Sequence, residues 1–220
     1  MEQKFDQSGH SVPVTIVKAP TGVVFQIKTD KSDGYFAVQI GVGTKKSATK
    51  PTKGKTKKVG VKTTPAVFYE CLIDEASMAE YKVGQQIELG SIFQLGDRVD
   101  ARAKSKGRGF AGAIKRWGFH SQPKTHGQSD RERAPGSIGA QTPGRVFKGK
   151  KMPGHFGNVQ ITVKNLPILK IDEKNREIWL RGSVPGPVNS WLMLKKKSLK
   201  SKKVILLEEK PKKNGEKQEK

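Results

Sequence analysis

From Ala101 to Asn158 the chain carries 13 Lys and Arg against two acids, Asp130 and Glu132, with 11 Gly and four Pro. Large apolar side chains are sparse there: Phe110, Ile114, Trp117, Phe119, Ile138, Val146, Phe147, Met152 and Phe156. Such a segment cannot bury enough apolar surface to offset its ordering entropy, about 1–2 kcal/mol per residue for the backbone alone. Alone in water it is expected to be mostly disordered. Its sequence is varied rather than repetitive, which predicts a functional arm that folds on a partner rather than a linker. GFAGAIKRWGF at 109–119 predicts one or two helical turns within it.

The core must therefore come from the flanks. VPVTIV (12–17), GVVFQIK (22–28), YFAVQIGV (35–42), AVFYECLI (66–73) and QQIELGSIF (85–93) read as strands. Asp33-Gly34 is a hairpin signal between two of them. After the arm come NVQITVKNL (158–166), PILKIDEKN (167–175), REIWLRG (176–182) and SWLMLKK (190–196), with VILLEE (204–209) as a further strand. DEASMAEY (74–81) reads as a short helix. Many short strands with few helix signals predict a mainly β fold, a closed or nearly closed β-barrel. The arm, long and mostly irregular, is inserted between its strands. The expected division is barrel at 1–100, a Gly/Lys/Arg-rich arm at 101–157, barrel again at 158–207, and a Lys-rich disordered tail at 208–220. A second basic stretch, Gly43 to Thr64, carries eight Lys and no acid.

Charge then narrows the partner. The 43 Lys and Arg against 20 Asp and Glu give a formal net charge of +23 and a pI of about 10.1. A polyanion, most often nucleic acid, is the expected resolution of such self-repulsion. A membrane surface rests on charge alone, since no apolar run is long enough to cross a bilayer and MEQKFDQSGHSV is no signal peptide. Cys71, the single cysteine, excludes an intrachain disulfide and fits a reducing cytoplasm. Within AVFYECLID it reads as a buried small hydrophobe rather than a nucleophile.

Motifs that suggest chemistry fail on context. GRGFAG (107–112) matches G-x-G-x-x-G, but ARAKSK before it does not read as the buried parallel strand a dinucleotide fold requires. Its glycines read instead as close backbone approach. GRVFKGKK (144–151) departs from G-x-x-x-x-G-K-[ST] at Lys151, and Pro153-Gly154 would break the helix that a P-loop opens. A phosphate-handling enzyme using Lys148, Lys150 and Lys151 would also lack acidic metal ligands. His120, His126 and His155 lack the supporting carboxylates or thiolates of a metal site, and Ser137 in PGSIG fits no nucleophile motif. No catalytic residue, cofactor, metal or small-molecule substrate is expected, nor a second copy of the chain.

What remains is phosphate of a polynucleotide. Arg145, Lys148, Lys150 and Lys151 are cations spaced by glycine, suited to a folded phosphate backbone. Trp117 and Phe119 beside Lys115 and Arg116 suit base stacking. The alternative for Trp117 is packing the foot of the arm on the barrel. Lys104, Lys106, Arg108, Lys124, Arg131 and Arg133, with His120, His126 and His155, complete the candidate RNA contacts. Trp179 and Trp191 read as core or protein-contact residues. No helix or ribbon of the kind that reads duplex DNA is evident, whereas a Gly-rich basic arm suits a folded RNA with deep crevices.

SKGRGFAGAIKRWGFHSQPKTHGQS, then PGSIG, then TPGRVFKGKKMPGHFGN resembles the signature of the universal large-subunit ribosomal proteins of the L-three family, bacterial type. SVPVTIV, DGYFAVQIG and VPG (184–186) match it too, and the resemblance covers roughly residues 1 to 195. It implies a translation-protein-like β-barrel and an extension that threads into 23S-type RNA toward the peptidyl transferase centre. It also implies early entry into subunit assembly, a structural role in the cytoplasm, and contacts with the fourteenth and nineteenth large-subunit proteins. Gln141 aligns with a glutamine methylated in some members. The family's opening strand usually begins before the position of Met1, so either the start is short, leaving an open barrel edge for a partner to cover, or the chosen start codon is wrong. An RNA chaperone or accessory assembly factor is the alternative to a permanent component.

Overall fold

A computed structural model describes residues 1–200, with side chains to Lys197. The predicted strand at 204–209 and the tail at 208–220 lie outside the described residues. The chain divides into two compact units. The first holds Met1–Val99, Asn165–Ser183 and the described residues from Lys196; the second holds Asp100–Lys164 and Val184–Lys195.

In chain order the first stretch gives β1 (Glu2–Phe5), β2 (Ser11–Lys18), β3 (Gly22–Lys28), α1 (Asp30–Asp33), β4 (Ala37–Val42), α2 (Lys50–Val59) and β5 (Val67–Leu72). Then come α3 (Glu75–Met78), β6 (Gln86–Ile87), α4 (Leu89–Ile92) and β7 (Asp97–Lys104). The arm contributes β8 (Phe110–Ala111), α5 (Ala113–Trp117) and β9 (Gly154–His155), before β10 (Gln160–Asp172), β11 (Glu177–Arg181) and β12 (Met193–Lys200).

The fold is mainly β and antiparallel in its registered pairs. The sheets run β1-β2-β11-β10-β7-β12, β5-β4-β3-β6 and β8-β9. Among the described residues no pairing closes a barrel, so the sheets are open where a closed or nearly closed barrel was expected. Counting strands does not fix which edges pair. The outer strands β1 and β6 are only four and two residues long.

Alternation places the core. In β2, Val12 and Val14 turn inward, and in β11 Ile178 and Leu180 do. Val12, Val14 and Leu169 form one buried cluster, with Ile16 and Trp179 packed on it. Trp179 is thus a core-edge residue, flanked by Lys4 and Lys170 at 5.6 and 5.5 Å from its ring. In the four-stranded sheet Phe25 meets Phe68 edge to face at 5.1 Å. Gly41 leaves room for the Phe25 ring, which would lie 2.5 Å from a Cβ there. Cys71 is half-buried rather than buried, and burial pushes its thiol pKa up.

The structure changes two strand expectations and gives three other stretches their form. ARAK, ahead of GRGFAG, belongs to β7: Asp97, Val99, Ala101 and Ala103 are buried while Arg102 and Lys104 are exposed. Small alanines on one face make a strand of what reads as a basic run. The two strands expected over 158–175 are one, β10. Asn165 adopts a left-handed φ of 62° and the register shifts between Ile168 and Lys170, so the Asn-Leu-Pro punctuation is absorbed as an irregularity. The strand expected over 85–93 shortens to β6 and turns into α4. The basic stretch 43–64 holds the longest helix among the described residues, α2. Its signals were present: Pro51 in the first turn and Gly60 at the end, with φ of 76°. The Asp33-Gly34 hairpin forms as a helical turn, α1, capped by Gly34, with Lys28 opposite Ala37.

Candidate nucleic-acid interface

The arm has an ordered root. Its two rails pair: Ser105 N–H donates to Val159 O, Arg108 N–H to Phe156 O, and Phe156 N–H to Gly109 O, each at 2.9 Å. β8 and β9 continue the pairing, Phe110 opposite His155 and Ala111 opposite Gly154. Arg102 Nη2 donates to Gln160 Oε1 at 2.9 Å beside them. The rails approach too closely for a side chain at Gly157. A Cβ there would run into the Lys106 carbonyl oxygen and lie 3.0 Å from Gly107 Cα, and its φ is 77°. GRGFAG therefore closes an antiparallel ladder and leads into a five-residue helix, not a nucleotide-binding crossover.

α5 forms where one or two helical turns were expected, on a buried Ala113, and Gly118 ends it with φ of 71°. Arg116 Nη1 and Trp117 Nε1 both donate to Met152 O, at 2.8 and 2.9 Å. The Arg116 guanidinium lies 5.0 Å and Lys151 Nζ 5.8 Å from the Trp117 ring centre. Arg108 stacks 5.0 Å above Phe156 in the same way. Trp117 thus packs within the arm itself and keeps 42% of its surface exposed.

Beyond the root, residues 119–153 form turns and irregular chain. Gln122 N–H donates to Glu132 O at 2.9 Å, and Gly144 N–H to Gln141 O at 2.7 Å. Of the candidate contacts, Lys104, Lys106, Arg108, Lys115, Trp117, His120, Lys124, His126, Arg131, Arg133, Arg145, Lys148, Lys150, Lys151 and His155 are all exposed. Arg116 is half-buried, and Gln141 is exposed. No helix follows GRVFKGKK; Gly144 and Gly149 instead take φ of 69° and 82°. The Met152 carbonyl and Gly157 escaped the sequence reading, although a glycine directly after Phe156 is a signal of close backbone approach. Among the described residues no cluster of His, Cys, Asp and Glu could hold a metal, and no helix is long and apolar enough to cross a membrane.

An arm rich in exposed cations, poor in carboxylates and carrying stacked aromatics is the footprint of a nucleic-acid-binding protein. The family model described as Ribosomal protein L3 matches residues 52–178. The chain is 46% identical over 197 residues to the large ribosomal subunit protein uL3 of Dehalococcoides mccartyi, covering 89% of this chain and 93% of that one. It is 43% identical to uL3 of Herpetosiphon aurantiacus (92% and 95% covered) and 47% identical to that of Buchnera aphidicola (84% and 87%). The chain belongs to the ribosomal protein L3 family, a non-enzymatic component of the ribosome.

Proposed function

We propose that the chain is a permanent structural constituent of the large ribosomal subunit that grips 23S-type RNA with the arm at 101–157. The observation that carries this is the arm's surface. Nearly every cation there is exposed, and the segment holds only two acids in its 57 residues. Cations without carboxylate partners on Gly-rich chain fit a crowded phosphate backbone, and exposed Trp117 beside Arg116 and Lys151 fits a base or ribose.

In this reading the β part corresponds to the family's translation-type barrel. The arm is mostly disordered before it meets RNA, apart from its root, and reaches toward the peptidyl transferase centre. Binding comes early in subunit assembly, in the cytoplasm, beside the fourteenth and nineteenth large-subunit proteins. Gln141, exposed in a turn, is the position for methylation.

The test is sedimentation of tagged protein from lysate through a high-salt, magnesium-containing cushion, with and without ribonuclease. Stoichiometric, RNA-dependent recovery with the large subunit after the salt wash is expected. Substoichiometric recovery, stripped by moderate salt, would make the protein an accessory assembly factor instead.

A further inference from the structure

Helix α2 lies in the first compact unit and plays no part in the arm. Its inward side is short and polar: Thr56 is buried and donates to Thr52 O at 2.6 Å, and Val59 is half-buried. Lys55 is tied down, donating to Gln39 Oε1 at 3.3 Å and lying 5.6 Å from the Phe68 ring centre. The outward stripe is Lys50, Lys53, Gly54 and Lys57, three or four residues apart and all exposed. Lys45, Lys46, Lys58 and Lys62 extend it, and Gly43 to Thr64 contains no acid.

Three features of this stripe oppose the helix that carries it. Lys50 and Lys53 place positive charge in the first turns, where the helix dipole disfavours it, and no acid stands there to compensate. Lys53 and Lys57 repel each other at i,i+4. Gly54 sits mid-helix at a cost of about 1 kcal/mol relative to alanine. Nothing among the described residues requires that glycine, because a Cβ at Gly54 would meet nothing within 4 Å. Local propensity and fold disagree here with no compensating contact inside the described chain, the pattern expected of a surface shaped for something outside it.

We infer that the Lys50–Lys53–Gly54–Lys57 face of α2 is a second RNA-docking surface. There the glycine lets a phosphate backbone close onto the helix between flanking lysines. The inference rests on the reading of the chain as a ribosomal RNA binder and assigns that reading a contact surface outside the arm. A polyphosphate chain suits the stripe because it supplies several anions at short spacing along one line.

The experiment measures affinity of the full chain for a large-subunit RNA transcript across a salt series. It compares wild type, K50Q/K53Q/K57Q, Gly54→Ala and, in the arm, K148Q/K150Q/K151Q. Replacing the three α2 lysines should flatten the log–log salt slope by roughly 2 and weaken binding roughly 10- to 100-fold near 0.1 M salt. Gly54→Ala should leave the slope unchanged and weaken binding, while the thermal midpoint holds or rises. If the arm variant flattens the slope and the α2 variants bind as wild type, the face is merely solvated or serves an acidic protein, and the inference is overturned. If the wild-type chain itself binds the transcript no more tightly than an unrelated RNA of equal length, the RNA-binding reading itself fails. A Gly54→Ala protein that binds normally, beside a weakened lysine variant, would overturn the close-approach part.

Discussion

Arg116 and Trp117, neighbours in sequence, donate to one and the same acceptor, the carbonyl oxygen of Met152 across the arm's root. The pair holds the end of α5 against the strand that returns from the tip. Arg116 is therefore a positioning residue, its guanidinium engaged inside the arm, while the exposed Lys151 shares its aromatic platform. Trp117→Phe removes one of the two donors but keeps the ring. It should weaken the root by about 1 kcal/mol, the net worth of an ordinary hydrogen bond. Faster amide exchange at Ala111 and Phe156, with an unchanged salt slope for RNA binding, is the expected signature; a changed slope would mean the clamp reading is wrong.

Gly157 is the tightest backbone crossing in the root. Alanine there combines a left-handed φ with a collision against the Lys106 carbonyl, so Gly157→Ala should cost on the order of 1–3 kcal/mol of local stability. Gly149→Ala is the control: its φ is 82°, but a Cβ there meets nothing within 4 Å, leaving only the conformational cost of about 1 kcal/mol. Amide exchange of Arg108 and Phe156 reads the difference. Equal effects in the two variants would show that the rails part easily.

Much of this was legible in the chain. Strands β2, β3, β4, β5 and β11 were visible because Val, Ile and Phe alternate or cluster between turn residues. The arm stood out because glycine and lysine replace large apolar side chains. β7 was hidden because its buried face is Val99, Ala101 and Ala103, too small to dominate the Arg and Lys beside them. α2 was hidden because its lysines carry no apolar stripe; only Pro51 and Gly60 marked its ends. The clamp on Met152 could not be read at all, since its acceptor is a backbone carbonyl and any residue supplies one.

The four-stranded sheet carries an acid-sensitive knot. Lys28 Nζ lies 2.9 Å from Glu70 Oε1, while Tyr35 Oη and Gln39 Nε2 also donate to Glu70, each at 3.0 Å. Donation from Lys28, then from Tyr35, holds the Glu70 carboxyl below its ordinary value of 4.5. A depressed folded-state pKa gives stability that is present above the unfolded value and lost as pH falls through the folded one. The thermal midpoint should therefore drop as pH falls below about 4.5, and Glu70→Gln should blunt that drop while lowering the midpoint at neutral pH. An identical acid profile in the variant would assign the sensitivity elsewhere, to Asp6 or Asp172, whose carboxyls backbone N–H groups of His10 and Asn175 likewise hold down.

The arm and the β part should respond separately to charge removal. Lys148 and Lys150 are exposed on irregular chain, and Lys151 is exposed with its ammonium toward Trp117. None of the three is buried in the β core, so K148Q/K150Q/K151Q should leave the thermal midpoint in place. Each lost phosphate contact flattens the salt dependence of RNA binding, and three should lower the log–log slope by roughly 2. Titration of large-subunit RNA at several salt concentrations, beside a melting curve of the same protein, reads both effects at once. A collapsed melting transition would show that these lysines hold the β part together and that the arm is not an independent RNA-gripping element. An unchanged slope with an unchanged midpoint would move the phosphate contacts to other cations of the arm, Lys104 to Arg133 on its outgoing side.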